Sequence, residues 1–186
     1  PDVNVFAGNN ITLCSSEASY SITDAFATNE QAVSWSRADG DTSGFTDTSV
    51  AQTQYFFTPE DKTAGFVTLV LRGFGSSSCS TTIEDSLTIR FVPEVDLDAG
   101  ADASICYGSA YTVADATITP NSYDAVSWSS SGTGVMLFSD SLTPQYTPSA
   151  GDLALGQVTL TMTVTPKTEC GAAPVSSAMI LTIDQN

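Results

Sequence analysis

Four cysteines are the residues of this chain with the most evident chemistry. Cys79 follows Cys14 by 65 residues, and Cys170 follows Cys106 by 64. This spacing predicts two disulfides, Cys14 to Cys79 and Cys106 to Cys170, although the sequence alone permits three pairings. Loops of that length would contribute about 4 kcal/mol each to stability. A metal site or reactive thiol is the weaker alternative, because the chain has no histidine and no Cys-x-x-Cys spacing.

A second group with possible chemistry is acidic. Glu94, Asp96 and Asp98 alternate along a predicted strand, which puts them on one face, and Asp102 follows closely. Crowded carboxylate oxygens suit Ca²⁺, so these four residues are a candidate calcium site that would stiffen the chain around residue 93. The alternative is a solvated acidic face, since neither an EF-hand nor a nonapeptide calcium loop is present. No other cofactor is predicted.

Two tryptophans invite a carbohydrate-binding interpretation, because aromatic faces stack on sugar rings. Trp35 and Trp128 each lie in a Val-Ser-Trp-Ser sequence, whose alternation places Val and Trp on opposite faces of a strand. We therefore predict that both tryptophans belong to hydrophobic cores rather than to a sugar-binding surface.

Enzymatic chemistry is not indicated. Without histidine, neither a Ser-His nor a Cys-His nucleophile pair can be built. No pair among the 21 acidic residues is singled out for glycosidase-type catalysis, and no phosphate-binding glycine loop occurs. We predict that the chain is not an enzyme.

The elements that position these residues occur twice. Motifs of the first 92 residues return in the same order after Pro93, with small changes in spacing, which predicts two copies of one domain, residues 1–92 and 93–186. Matching pairs are Ala7-Gly8 with Ala99-Gly100, Cys14 with Cys106, Trp35 with Trp128, Tyr55 with Tyr146, Thr58-Pro59 with Thr147-Pro148, Gly65 with Gly156, and Cys79 with Cys170.

Charge and hydropathy restrict the partners. The net charge of -16 would repel phosphate backbones and anionic membrane surfaces, so we expect no nucleic-acid binding. No apolar run approaches the roughly 18 residues of a membrane span, so direct membrane insertion is not expected. The start at Pro1-Asp2-Val3 is no signal peptide, and we interpret the chain as a segment of a longer secreted array.

Alternating apolar residues predict strands, and a short helical turn beginning at Pro and ending at Gly is predicted before a long late strand in each copy. Around seven short strands per copy, with one Trp in the third, predict an all-β chain of two tandem immunoglobulin-like (PKD-like) β-sandwich domains. The predicted strands include residues 20–22, 32–35, 67–71 and 86–89 with Phe91, and in the second copy 111–113, 125–128, 158–164 and 179–183.

The motif order of residues 99–170 resembles a known family. It reads Ala-Gly, Ile-Cys-x-Gly, Tyr-x-Val, Val-Ser-Trp-Ser, Ser-Gly-Thr-Gly, Phe-Ser-Asp, Tyr-Thr-Pro-Ser-Ala, Val-Thr-Leu-Thr and a late Cys. This order is similar to the PKD/Ig-like repeats of large Bacteroidota cell-surface adhesins, including gliding-motility adhesins. The first copy departs from it at Ser15-Ser16-Glu17 and between Asp39 and Gly44.

The resemblance implies a monomeric, extracellular segment displayed at the cell surface after type IX secretion. Its partners would be neighbouring repeats of the same chain, and surface polysaccharide through other domains. Asp-Ser-Leu sequences at Ser86 and Ser141 fit the pattern at which these bacteria attach O-glycans, although Ser86 can equally be an outward polar position on a strand. The predicted function is a non-catalytic stalk or spacer in adhesion and gliding motility. The alternative is a carbohydrate-binding module of a secreted polysaccharide-degrading complex.

Overall fold

The computed structural model describes residues 2–75, 82–171 and 173–184. The chain divides into two compact units, Pro1–Val92 and Pro93–Asn186. Strands are the main regular secondary structure of each unit, and one short α-helix lies immediately before its longest hairpin.

The described residues of the first unit form eight strands and one helix. In chain order they are β1 (Asn4–Phe6), β2 (Ile11–Cys14), β3 (Ser19–Ile22), β4 (Phe26–Thr28), β5 (Ala32–Arg37), β6 (Thr53–Phe56), α1 (Pro59–Ala64), β7 (Phe66–Phe74) and β8 (Thr82–Val92). One sheet has the order β2-β8-β7-β5. Two further strand pairs of the unit are β1-β4 and β3-β6.

The second unit repeats this plan. Its elements are β9 (Leu97–Asp98), β10 (Ala103–Cys106), β11 (Tyr111–Thr112), β12 (Thr117–Ile118), β13 (Tyr123–Ser130), β14 (Val135–Leu137), β15 (Gln145–Thr147), α2 (Ala150–Leu155), β16 (Gln157–Pro166), a 3-10 turn (Thr168–Cys170) and β17 (Val175–Asp184). The main sheet has the order β10-β17-β16-β13, with smaller sheets β12-β9 and β11-β15-β14.

Alternation along the long strands builds both cores. In β7 every second residue from Val67 to Gly73 is buried, and in β16 every second residue from Val158 to Pro166 is buried. These side chains pack against apolar residues from the smaller sheets of the same unit, such as Ile22 and Tyr55 in the first and Ile118 and Tyr146 in the second. Burial at about 25 cal/mol per Å² of apolar surface is the main stabilising term for such a sandwich.

The two helices begin at equivalent caps. Thr58 caps α1 and Ser149 caps α2, each in a capping box with the Asp three residues on, and Gly65 and Gly156 end the helices in the left-handed conformation. The sequence match of Thr58-Pro59 with Thr147-Pro148 is therefore wrong by two residues. Pro59 is the first residue of α1, whereas Pro148 precedes the capping residue Ser149 and α2 begins at Ala150.

Candidate functional site: terminal strand pairs and cysteines

The second strand of each unit runs parallel to the last strand and pairs with it. In the first unit β2 pairs with β8, from Ile11 opposite Ile89 to Cys14 opposite Val92. In the second unit β10 pairs with β17 in the same way and ends with Cys106 opposite Asp184. The cysteine of each pair thus lies where the chain reaches the end of its unit.

Side chains add links at the start of each pair. In the first unit, the Ala7 N–H donates to Asp85 Oδ2 at 2.8 Å, and the Thr88 N–H donates to Asn10 Oδ1 at 2.7 Å. In the second unit, the Ala99 N–H donates to Ser177 Oγ at 3.1 Å, and the Ile180 N–H donates to Asp102 Oδ1 at 2.7 Å. All four bonds join residues 78 positions apart, so they are equivalent contacts in the two copies.

The Ala-Gly motif makes the bend between the first two strands of each unit. Gly8 and Gly100 have φ values of 108° and 95°, where a side chain is strained. A Cβ at Gly100 would also collide with the carboxylate of Asp115. That carboxylate accepts the Ala101 N–H at 2.8 Å. Glycine is therefore required at position 100 for two reasons, the positive φ and the closeness of the Asp115 carboxylate.

In the first unit, Asp24 holds the corresponding bend. Its Oδ2 accepts the Asn9 N–H at 3.0 Å and the Asn9 side-chain amide at 2.8 Å. Hydrogen bonding, first from the Asn9 backbone, lowers the pKa of Asp24. Sequence reasoning did not find this role, because Asp24 and Asp115 acquire it only when the bend folds against them.

A buried tyrosine and aspartate lie under each helix. The Tyr55 hydroxyl donates to Asp61 Oδ2 at 3.0 Å, and the Tyr146 hydroxyl donates to Asp152 Oδ2 at 2.7 Å. Burial, followed by the nearby Asp61 charge, raises the pKa of Tyr55. In the first unit the Arg37 guanidinium also reaches Asp61, at 3.1 Å. The sequence predicted structural tyrosines but gave no sign of these carboxylate partners.

Burial alone would raise the pKa of Asp152, but hydrogen bonds outweigh it. The Ser149 N–H donates to Oδ2 at 2.8 Å, and the Thr133 N–H donates to Oδ1 at 2.7 Å. With the Tyr146 hydroxyl, these donors lower the pKa of Asp152 below its ordinary value. The carboxylate is therefore held in its charged form inside the second unit.

The predicted cysteine pairing is wrong for the second copy. Cys106 carries a free, exposed thiol, whereas Cys170 and Cys14 are disulfide-bonded. Cys79, the predicted partner of Cys14, lies outside the described residues.

Register explains why Cys106 and Cys170 do not pair. Cys106 lies opposite Asp184, the last residue of β17. Cys170 lines a shallow cavity together with Val175, the first residue of β17. Ten strand residues span about 30 Å, far beyond the roughly 4.4 to 6.8 Å between the Cα atoms of bonded cysteines.

The four predicted calcium ligands do not form a site. Glu94, Asp96, Asp98 and Asp102 are all exposed, and among the described residues no group of three or more acidic or cysteine side chains is arranged to hold a metal ion. Asp98 Oδ1 accepts the Gly100 N–H at 3.0 Å, and Asp102 Oδ1 accepts the Ile180 N–H. The predicted strand does not extend over Glu94 and Asp96, because β9 begins at Leu97, and Asp102 serves the strand pair instead.

The tryptophans and serines have distinct surroundings. Trp35 is 0% and Trp128 is 5% exposed, and their indole N–H groups donate to backbone carbonyls of Val50, Ala51 and Ser141. The Ser141 hydroxyl donates to the Phe138 carbonyl at 3.0 Å, so it belongs to the loop that covers Trp128. Ser86 is an exposed position on β8, and its glycosylation stays a prediction.

No known family description matches the chain, and no curated protein matches it. Solved structures do. The Sidekick-1 immunoglobulin domains 1–4 align over 98% of this chain and 48% of theirs, with 11% identity and a TM-score of 0.65. Protocadherin gammaB7 EC3-6 aligns over 98% of this chain and 47% of its own, with 14% identity and a TM-score of 0.57.

The chain is a tandem pair of immunoglobulin-like β-sandwiches. A two-domain example is human mucin-like protocadherin EC1-2, which aligns over 100% of this chain and 99% of its own with 6% identity and a TM-score of 0.56. The chain spans about half the length of the Sidekick-1 and gammaB7 structures. Identities this low show the fold alone. In the described part of the chain, no helix is long and apolar enough to cross a membrane.

Proposed function

We propose that the chain is a non-catalytic repeat segment of a secreted bacterial surface adhesin, where it acts as a stalk or spacer in adhesion and gliding motility. The observation that carries this proposal is the parallel pairing of the second strand with the last strand in both units. A stalk must transmit tension through each repeat without unfolding, and this pairing is suited to that task.

The direction of the strands determines how they resist tension. Tension on a unit pulls β2 towards its own start and β8 towards its own end. Because the strands are parallel, their hydrogen bonds are sheared together rather than opened one after another. The bonds of Asp85 and Asn10 to backbone N–H groups lie on the same load path and must break in the same event.

The location and source of the parent protein rest on two kinds of support. Immunoglobulin-like and cadherin-type extracellular repeats are the structural neighbours, and disulfide-bonded cysteines suit an oxidising compartment. The motif order of residues 99–170 supports a Bacteroidota cell-surface protein exported by type IX secretion. The partners in this proposal are neighbouring repeats of the same polypeptide, with surface polysaccharide contacted by other domains and the segment itself monomeric.

The carbohydrate-binding alternative is not favoured. It requires an exposed aromatic platform for a sugar ring, and the tryptophans that suggested it are buried. Their indole N–H groups are also occupied by backbone carbonyls, so neither ring is available to a polysaccharide.

Single-molecule pulling through the two chain ends tests the stalk proposal. The measurement uses reductant, so that disulfide bonding does not limit extension, and we expect two unfolding force peaks per molecule. Asn10→Ala should lower one peak, because it removes the bond to Thr88 in the first unit only. The second unit is the internal control, and Thr42→Ala, at an exposed loop position, is the matched variant. Unfolding of the wild-type chain without measurable force peaks would contradict the proposal.

A further inference from the structure

The two disulfide-bonded cysteines occupy different places in the repeat. Cys14 ends β2, opposite Val92 at the close of the first unit, and is 4% exposed. Cys170 ends the 3-10 turn, and its Sγ lies 3.7 Å from the Pro93 carbonyl oxygen at the opening of the second unit. We call these the closing position and the opening position of the repeat.

Cys106 occupies the closing position of the second unit. Cys14 lies opposite Val92, and Cys106 lies opposite Asp184. The local backbone is the same in both copies. The residue after each cysteine donates its N–H to the carbonyl opposite, at 2.8 Å in the first unit and 2.9 Å in the second, and each cysteine carbonyl accepts an N–H at 3.1 Å from the turn that follows.

The equivalent residues differ in their bonding. Cys14 is disulfide-bonded and buried, whereas Cys106 is a free, exposed thiol. The other described cysteine of the second unit, Cys170, lies at the opposite end of β17 and is already bonded. Any disulfide partner of Cys106 therefore comes from outside the second unit.

We propose that Cys106 forms a disulfide with a cysteine at the opening position of a further repeat of this fold, which links the two repeats covalently. The bonded state of Cys14 shows that the closing position supports a disulfide, and that of Cys170 shows the same for the opening position. The inference rests on the proposed function, because a stalk supplies further repeats in the same polypeptide.

The bond forms by thiol-disulfide exchange with a small disulfide such as oxidised glutathione. The Cys106 thiol loses its proton to water, and the thiolate attacks the glutathione disulfide and releases one glutathione thiolate. The thiolate of the second cysteine then attacks the Cys106 sulfur and releases the second glutathione thiolate. Two protein thiols are oxidised, and one glutathione disulfide is reduced.

The test extends the full chain after Asn186 with a second copy of residues 93–186. In the added copy the counterpart of Cys106 is serine, so the added copy offers only its opening cysteine. After folding with oxidised and reduced glutathione, maleimide labelling reports free thiols, and tryptic mapping without reductant reports pairs. We expect no label on Cys106 and a reducible link between peptide 91–167 and the final peptide of the added copy, because Arg90 and Lys167 are the cleavage sites.

Two control variants assign the link. Cys106→Ser should remove it, and serine at the opening position of the added copy should leave Cys106 labelled. Persistent labelling of Cys106 in the extended chain would overturn the proposal, and so would a Cys106 to Cys106 dimer. If Cys106 stays free while both units still resist force, the link alone is wrong. If the link forms in repeats that do not resist force, the stalk function is wrong.

Discussion

The Tyr146 hydroxyl lies 2.7 Å from Asp152 Oδ2 and donates a hydrogen bond to this fully buried carboxylate. The same carboxylate closes the capping box of α2 with Ser149. One side chain therefore ties β15 to the start of α2, and through Thr133 to the loop before β14. The first unit repeats the tyrosine bond between Tyr55 and Asp61, so the arrangement is a shared device for fixing the crossing from one sheet to the other.

Replacing the buried carboxylate should be costly. We expect Asp152→Asn to reduce the free energy of unfolding of the second unit by about 2 to 4 kcal/mol, because the amide NH₂ would face a hydrogen-bond donor. Urea denaturation measures the loss. Asp140→Asn, at an exposed position, is the matched control and should change stability by less than about 0.5 kcal/mol. Equal effects of the two substitutions would show that Asp152 has no special role.

Acid should weaken the second unit through the same residue. The pKa of Asp152 is lower in the folded chain than the unfolded value of about 3.9. Its stabilising contribution is therefore present above that unfolded value and is lost as the pH falls towards the folded pKa. Unfolding free energies measured from pH 7 to pH 3 should converge for wild type and Asp152→Asn. Parallel curves would contradict the assignment.

The bend at Gly100 should tolerate no side chain. We expect Gly100→Ala to cost roughly 3 kcal/mol, because the substitution combines a positive φ with a collision against Asp115. Gly108→Ala is the matched control, since Gly108 has a φ of 88° but open space around its Cβ position. It should cost about 1 kcal/mol. Thermal melts of both variants compare the two costs, and an equal loss would exclude a contribution from the collision.

Asp102 should act through β17 rather than through a metal ion. We expect Asp102→Ala to lower stability by about 1 kcal/mol, because the Ile180 N–H loses its acceptor. The loss should be the same with added calcium and with chelator. Asp96→Ala is the control, since the Asp96 backbone rather than its carboxylate pairs with Thr119. A calcium-dependent Tm that both variants abolish would restore the predicted calcium site.

Sequence patterns predicted the long strands well, because alternation and burial describe the same property. Residues 67–71 and 158–164 lie inside β7 and β16. Short strands such as β4 (Phe26–Thr28) and β9 (Leu97–Asp98) carry too few residues to show a period. They form because partner strands supply their hydrogen bonds, which is a tertiary effect that local sequence does not report.

The cysteine prediction failed for a topological reason. Equal spacing in two copies identifies equivalent residues, but it does not say which end of a sandwich each residue reaches. That depends on the parallel pairing of β10 with β17. This pairing joins segments that are far apart in the sequence, so local patterns do not reveal it. Asp102 was misassigned for the same reason, since its partner Ile180 is 78 residues away.

Among the described residues, one hydrophobic core is built from residues of the first copy and the other from residues of the second. Recombination that adds or deletes a block of this length within the gene therefore leaves every remaining core complete. Copy number can change by whole repeats at little cost to folding, so the length of the proposed stalk can evolve separately from the stability of each repeat.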